Sequence, residues 1–148
     1  MREYPEGRII ELEDDEIFVF GSNESGIHGK GAARDAHKLM GAQWGMGFGQ
    51  YGNTFAIPTK DWNIKQLPLH IIEFYVNRFL DYTESKSNLV FLVTPIGCGY
   101  AGYKPELIAP MFQRHKNNVV LCPEFKTVLD NIKKVRESYT WDWRKKYE

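Results

Sequence analysis

Residues 17–33, IFVFGSNESGIHGKGAA, decide how the rest of the chain is read. A short apolar run, IFVF, stops in a glycine-rich loop, and AARDAHKLM then restarts as a helix. Gly21, Gly26, Gly29 and Gly31 let the backbone take positive φ values and approach a ligand with no Cβ in the way. The first turn of a helix has N–H groups without intrahelical partners, at the positive end of its dipole. Strand, loop and helix start together read as an anion-binding loop with phosphate as its natural ligand. The competing reading is a structural turn, for which four such glycines are more than a connection ordinarily needs.

Outside this stretch the bulk properties narrow the class. A chain of 148 residues, 43% hydrophobic and 26% charged, has the mix of a folded soluble protein and the length of a single domain, 1–148, with its own core. Lys plus Arg and Asp plus Glu number 19 each, so no overall field draws the chain to nucleic acid or an anionic membrane. Any anion must be held by local geometry. Cys98 and Cys122 lie in or beside apolar runs, where a reduced, buried thiol is the default. The N-terminal MREYPEGRIIEL lacks a signal peptide's apolar region, and no run reaches the length of a membrane span. A cytoplasmic protein with no membrane partner is expected.

Along the chain, RIIEL at 8–12 is a weak strand candidate and residues 13–16 an acidic turn before the stronger strand at 17–20. Residues 41–53, GAQWGMGFGQYGN, carry too much glycine for a regular element. They read either as a loop pinned by aromatics tucked under it or as a mobile wall over a planar ligand. A strand at 54–57 is expected to end where Pro58 removes a ladder donor. Apolar residues at three- and four-residue steps predict a helix over 67–85, with Pro68 in its first turn and His70 and Tyr75 as packing residues. Residues 90–93, VFLV, read as a strand buried on both faces, followed by a second glycine-rich loop, TPIGCGYAGY. A helix over 106–115, kinked or delayed by Pro110, a strand at 118–121 and a helix over 125–139 complete the core. Residues 140–148 form an aromatic and basic tail.

Alternating strands and helices indicate an α/β sandwich with a largely parallel sheet. In such sheets ligands bind outside the carboxyl ends of the strands, and three strand ends carry unusual chemistry: GSNESGIHGKG, PTKD and PIGCGYAG. Gly97, Gly99 and Gly102 match G-x-G-x-x-G, with Glu124 past the next strand where a ribose-binding carboxylate would sit. A dinucleotide-binding topology nevertheless fails, because that fingerprint belongs to the first strand and only one further strand follows here. A phosphate loop of the NTPase type fails because Gly31 follows Lys30 and Glu24 stands where its first glycine belongs. Scattered histidines and distant cysteines give no zinc pattern. Cys98 flanked by glycines reads as a small packing residue rather than a nucleophile.

The order of these segments resembles the macro domain: an Asn-containing strand end, H-G-K-G-A-A opening a helix, P-T-K closing a strand, and P-I-G-C-G-Y-A-G between strand and helix. The chain looks most like the branch containing the terminal ADP-ribose protein glycohydrolase, where M-G-A-G-I-A, I-T-K and R-I-G-C-G-L-D occur in the same order. It is also similar to small phage-associated proteins with an F-G-S-N start. The resemblance covers about residues 17–123. It implies a three-layer α/β/α sandwich with a mixed, largely parallel sheet and an ADP-ribose pocket, with no cofactor or metal. Gly29, Lys30, Gly31 and Ala32 would wrap the distal ribose and diphosphate, with Ser22, Asn23 and His28 in the same wall. Ile96, Gly97, Cys98 and Gly99 would cradle the diphosphate from the other side. Tyr100 or Tyr103 is expected on the proximal ribose and Phe125 on adenine.

The resemblance also bears on catalysis. In that branch a lysine of I-T-K and an aspartate of G-C-G-L-D form the functional pair; the lysine maps onto Lys60, the aspartate onto Ala101. A lysine attacks C1″ only as a free amine, and an adjacent Asp61 would keep it charged. Glu24 and Asp35 are the carboxylates weighed as substitutes. Three functions follow. The protein captures ADP-ribose, an ADP-ribosyl group or a related cyclic nucleotide; or it removes ADP-ribose from protein or nucleic acid using Lys60; or it is an interaction scaffold using Trp141 and Trp143. No oligomeric state follows from the sequence.

Overall fold

The computed structural model describes residues 2–139; the tail at 140–148, with its scaffold role, lies outside them. The elements in chain order are β1 (Glu16–Asn23), α1 (Gly31–Leu39), β2 (Gly49–Tyr51), β3 (Thr54–Lys60), α2 (Leu69–Glu84) and β4 (Val90–Val93). Then come α3 (Pro105–Ile108), a 3-10 turn (Ala109–Phe112), β5 (Val119–Leu121) and α4 (Pro123–Ser138). The sheet has the order β2-β3-β1-β4-β5, parallel except for β2, which pairs antiparallel with β3.

The continuous hydrophobicity of β1 follows from its place at the centre of the sheet. Ile17 and Val19 face a cluster built with Ile72, Val76 and Phe79 of α2, Phe112 and Phe125. Phe18 and Phe20 face the opposite side, where Ala33 and Ala36 of α1 pack. A strand covered on both faces reads as an apolar run rather than an alternation. The result is the expected α/β/α layering, with α1 on one face and α2 and α4 on the other. No helix among the described residues is long and apolar enough to cross a membrane.

Four expectations change. RIIEL joins no strand; Ile9 alone is buried, against the α1-side cluster, while Arg8 pairs with Asp35 of α1 at 2.5 Å. Residues 41–53 contain β2, whose three residues pair only with Thr54–Ala56. That pairing explains the third difference: β3 runs through Pro58 to Lys60. Among the described residues no strand pairs with the outer side of β3 between Ala56 and the isolated bridge of Lys60 to Gln66, so the missing proline N–H leaves no ladder bond unmade there. Pro58 itself stands opposite Ser22 of β1, and the register then slips by one residue, placing Asn23 opposite Lys60. Pro110, finally, divides the helix expected over 106–115 into α3 and a 3-10 turn, since its nitrogen cannot donate.

Candidate functional site

The carboxyl ends of β3, β1 and β4 are neighbours in the sheet and open onto one cleft of about 660 Å³. Gly21 lies at its floor, where an added Cβ would stand 3.4 Å from Thr59 Oγ1 and 3.5 Å from the Gly97 nitrogen. The first wall comes from the β1 loop. Asn23, 6% exposed, holds that loop in shape: its Oδ1 accepts from the Ile27 N–H at 2.8 Å and the Ser25 hydroxyl at 2.9 Å, and its Nδ2 donates to the Ile27 carbonyl at 2.9 Å. The Ser22 hydroxyl donates to the Gly47 carbonyl. Both residues border the cleft, but the side-chain polar atoms of Asn23 are spent within the loop and the Ser22 hydroxyl on the segment behind it.

Gly29, Lys30, Gly31 and Ala32 line the cleft above them, and Lys30 precedes α1 with no side-chain cap on the helix. The second wall is Ile96, Gly97, Cys98, Gly99 and Tyr100. Among the described residues, none accepts from the backbone N–H groups of Gly29, Lys30, Gly97, Gly99, Tyr100 or Ala101. The first turn of α1 adds further N–H groups of the same kind. Two walls therefore bring N–H groups with no acceptor among the described residues, and a helix dipole, to one cleft; such groups favour an anion.

Lys60, at the end of β3, lines the same cleft. Its ammonium is 5.4 Å from the centroid of the Tyr100 ring, and that of Lys30 is 5.7 Å from the same ring. Tyr100, 71% exposed, also reaches Gly31, where an added Cβ would stand 3.3 Å from its Cε2. Its ring thus spans from the second loop to the first. The second loop is tied down from the segment between β3 and α2: Gln66 Nε2 donates to the Ala101 carbonyl at 2.6 Å, and the Tyr103 hydroxyl to the Leu67 carbonyl at 2.7 Å.

Three expected ligand contacts fall elsewhere. Tyr103 does not line the cleft; its hydroxyl serves the anchor just described. Phe125 is fully buried and stacked on Phe112 at 5.6 Å, because the helix over 125–139 begins early, at Pro123, and turns this ring into the core. His28 is 2% exposed, edge-on to Phe20 at 5.3 Å, with Nε2 2.9 Å from the Gln43 carbonyl. Burial pushes its pKa down, and it ties the first loop to the 41–48 segment rather than facing the cleft. That segment does not line the cleft either, which removes its role as a wall over a ligand. Phe48 packs beneath it on Phe55 and Tyr75.

The carboxylates weighed as substitutes for the missing acid are engaged. Glu24 accepts from the Tyr75 hydroxyl at 2.6 Å, and Arg8 holds the Asp35 carboxyl below its usual range. The Oδ1 of Asp61 accepts from the N–H groups of Asn63 and Lys65, and no carboxylate among the described residues pairs with Lys60. Ala101 borders the cleft where the aspartate was expected, and Glu124 is the carboxylate among the lining residues. Burial, with Glu124 and Glu106 nearby, pushes the Cys98 thiol up to about 11, away from the lowered values of reactive cysteines. Among the described residues no three His, Cys, Asp or Glu side chains gather to hold a metal.

No family model matches the sequence, and no curated protein matches it. The solved structure of the macrodomain of Mycobacterium tuberculosis DarG aligns with it at a TM-score of 0.60, over 82% of this chain and 96% of that one, with 19% identity. The chain has the macrodomain fold. At that identity the likeness is one of architecture, and the chemistry rests on the residues of this chain.

Within this macrodomain fold the sequence pointed to both glycine loops and Lys60 but missed Ile27, Ile64, Thr94 and Gln66. Gln66 lies six residues past Lys60 and carries no motif; only the pairing of Lys60 with Gln66 brings it back to the site. A second hollow, about 850 Å³, runs between α3 and α4 along Val128, Ile132 and Val135. Apart from Pro105 and Glu124, which border both, it shares no lining with the cleft, and neither glycine loop reaches it.

Proposed function

We propose that this protein binds ADP-ribose, or an ADP-ribosyl group carried on protein or nucleic acid, with the diphosphate between the two glycine loops. The observation that carries this reading is the set of unpartnered N–H groups on both walls of one cleft, next to the uncapped start of α1. Such donors stabilise an anion without any basic surface, which agrees with a chain whose formal net charge is zero. Lys30 and Lys60 add two ammonium groups at the Tyr100 side of the cleft.

Capture without hydrolysis is the form of the reading best supported. Cleavage at C1″ needs an acid or base beside the reacting atoms; Ala101 supplies neither, which leaves Glu124 as the carboxylate among the lining residues. A hydrolase reading keeps one point in its favour: Lys60 borders the cleft and has no carboxylate partner among the described residues. Titration calorimetry with ADP-ribose, a cyclic ADP-ribose relative and AMP tests the binding. Submillimolar affinity for the diphosphate ligands, lost with AMP, is the expected result; no heat from any of them at millimolar concentration overturns it.

A further inference from the structure

Among the described residues, Ile64 is the non-glycine residue with a left-handed backbone, at φ 61°. A β-branched side chain is poorly suited to that region, because its Cβ substituents crowd the backbone. The conformation is imposed by Asp61. Its Oδ1 accepts from the Asn63 N–H at 2.8 Å and the Lys65 N–H at 3.0 Å, while its own N–H donates to the Lys65 carbonyl at 2.7 Å. The turn is closed again by the Ile64 N–H on the Asp61 carbonyl at 3.1 Å. Glycine or asparagine would make the same turn without strain.

Ile64 belongs to neither core cluster of the described residues. Ile64 is 43% exposed, so its side chain is not fixed by the core. It does, however, line the cleft, and so do two other exposed apolar side chains, Ile27 at 38% and Tyr100 at 71%. One comes from each of the three strand-end loops. Strained residues persist where the surrounding structure over-determines them, and they cluster at ligand clamps.

We infer that Ile64 is a ligand-contacting specificity residue, which with Ile27 and Tyr100 forms an apolar rim that closes on the carbon-rich part of the bound nucleotide, sugar or base, beyond the diphosphate. The inference rests on the ADP-ribose reading and adds to it which residue selects a nucleotide over a bare diphosphate. The strained turn holds the side chain against the cleft in the free protein, so the ligand meets a rim already in place.

Ile64→Asn and Ile64→Gly test this against Ile64→Val, with melting curves for each variant and titration with both ADP-ribose and inorganic pyrophosphate. Asparagine relieves the strain without adding the unfolded-state freedom that glycine brings. Ile64→Asn is expected to melt at or above the wild-type temperature, to lose about tenfold in ADP-ribose affinity through the buried area forgone, and to bind pyrophosphate as wild type does. Ile64→Val keeps both properties within about threefold, since it keeps the branched apolar surface. Unchanged ADP-ribose affinity in Ile64→Asn and Ile64→Gly overturns the inference while leaving the binding reading standing. Equal loss for pyrophosphate overturns it as well, because the residue would then act on the diphosphate walls. A wild-type protein that binds neither ligand removes both.

Discussion

Gly97 and Gly99 are indistinguishable in the string GCG, yet the structure separates them sharply. Gly97 has φ +76°, and a Cβ there would stand 3.2 Å from Ile108 Cδ1 and 3.4 Å from its Cγ1. Ile108 is fully buried, so its side chain must give by a few tenths of an ångström within the core. Gly99 has no positive φ, and a methyl group added there would meet nothing within 4 Å. For Gly97→Ala the left-handed backbone costs about 1–2 kcal/mol, and the overpacking against Ile108 costs about 1 kcal/mol more. The stiffer unfolded chain returns about 0.5–1 kcal/mol. The net loss is then roughly 2 kcal/mol, or a fall of about 4–8 °C in Tm for a domain of this size. Gly99→Ala should melt within about 1–2 °C of wild type, because a surface change without crowding stays within about 0.5 kcal/mol. Denaturant or thermal melts of both variants, followed by titration with ADP-ribose, make the measurement. Rearranged N–H groups in Gly97→Ala forfeit at least one charge-assisted bond, so affinity is expected to fall tenfold or more, at about 1.5–3 kcal/mol per bond. A Gly97→Ala protein with wild-type stability and affinity refutes the account of this loop as a constrained wall.

Other outcomes follow from the same geometry. Lys60→Met is expected to weaken ADP-ribose binding severalfold by removing an ammonium from the cleft, read by calorimetry at low and high salt, with the difference shrinking as salt rises. Wild type and Lys60→Ala are both expected to release no ADP-ribose from ADP-ribosylated protein or nucleic acid; release by wild type alone would establish the hydrolase reading. Phe125→Ala is expected to lose about 3–5 kcal/mol of stability as a core truncation, and urea melts check this against the milder loss a ligand-facing ring would show. His28 gives a pH signature. Burial lowers its folded pKa below the ordinary 6.5, so on acidification the unfolded chain takes up the proton first. Its contribution is complete above about 6.5 and is lost as pH falls through the folded value; a His28→Gln protein is expected to show a flatter Tm profile between pH 7 and pH 5.

The parts of the fold legible in the sequence are those where one local rule dominates. The apolar run of β1 and the VFLV of β4 are strands covered on both faces, and composition alone marks them. The spacing of Ile71, Phe74, Tyr75, Phe79 and Tyr82 marks α2 as a helix, but the face it buries is Ile72, Val76, Phe79, Leu80 and Thr83, and Phe74 is left exposed. What could not be read depends on partners distant in sequence. Pro58 is tolerated because β2 is too short to face it, and the length of β2 is not a property of Pro58. Nearness to strand ends points Phe125 and Tyr103 toward the ligand, whereas α4 begins at Pro123 and the Tyr103 hydroxyl finds a carbonyl at Leu67. His28 stands within the binding motif HGKG, but the chain direction turns it toward Phe20. Ile64 carries no sequence signal at all: its interest is a φ angle set by Asp61.

The central claim is that both glycine loops hold one diphosphate. A crystal structure with ADP-ribose soaked in tests it most directly. The account predicts the diphosphate within hydrogen-bonding distance of N–H groups from both walls, Gly97 or Gly99 on one side and the first turn of α1 on the other, with Lys60 beside the distal ribose. A nucleotide seated in the hollow between α3 and α4, or contacting one loop alone, would contradict it.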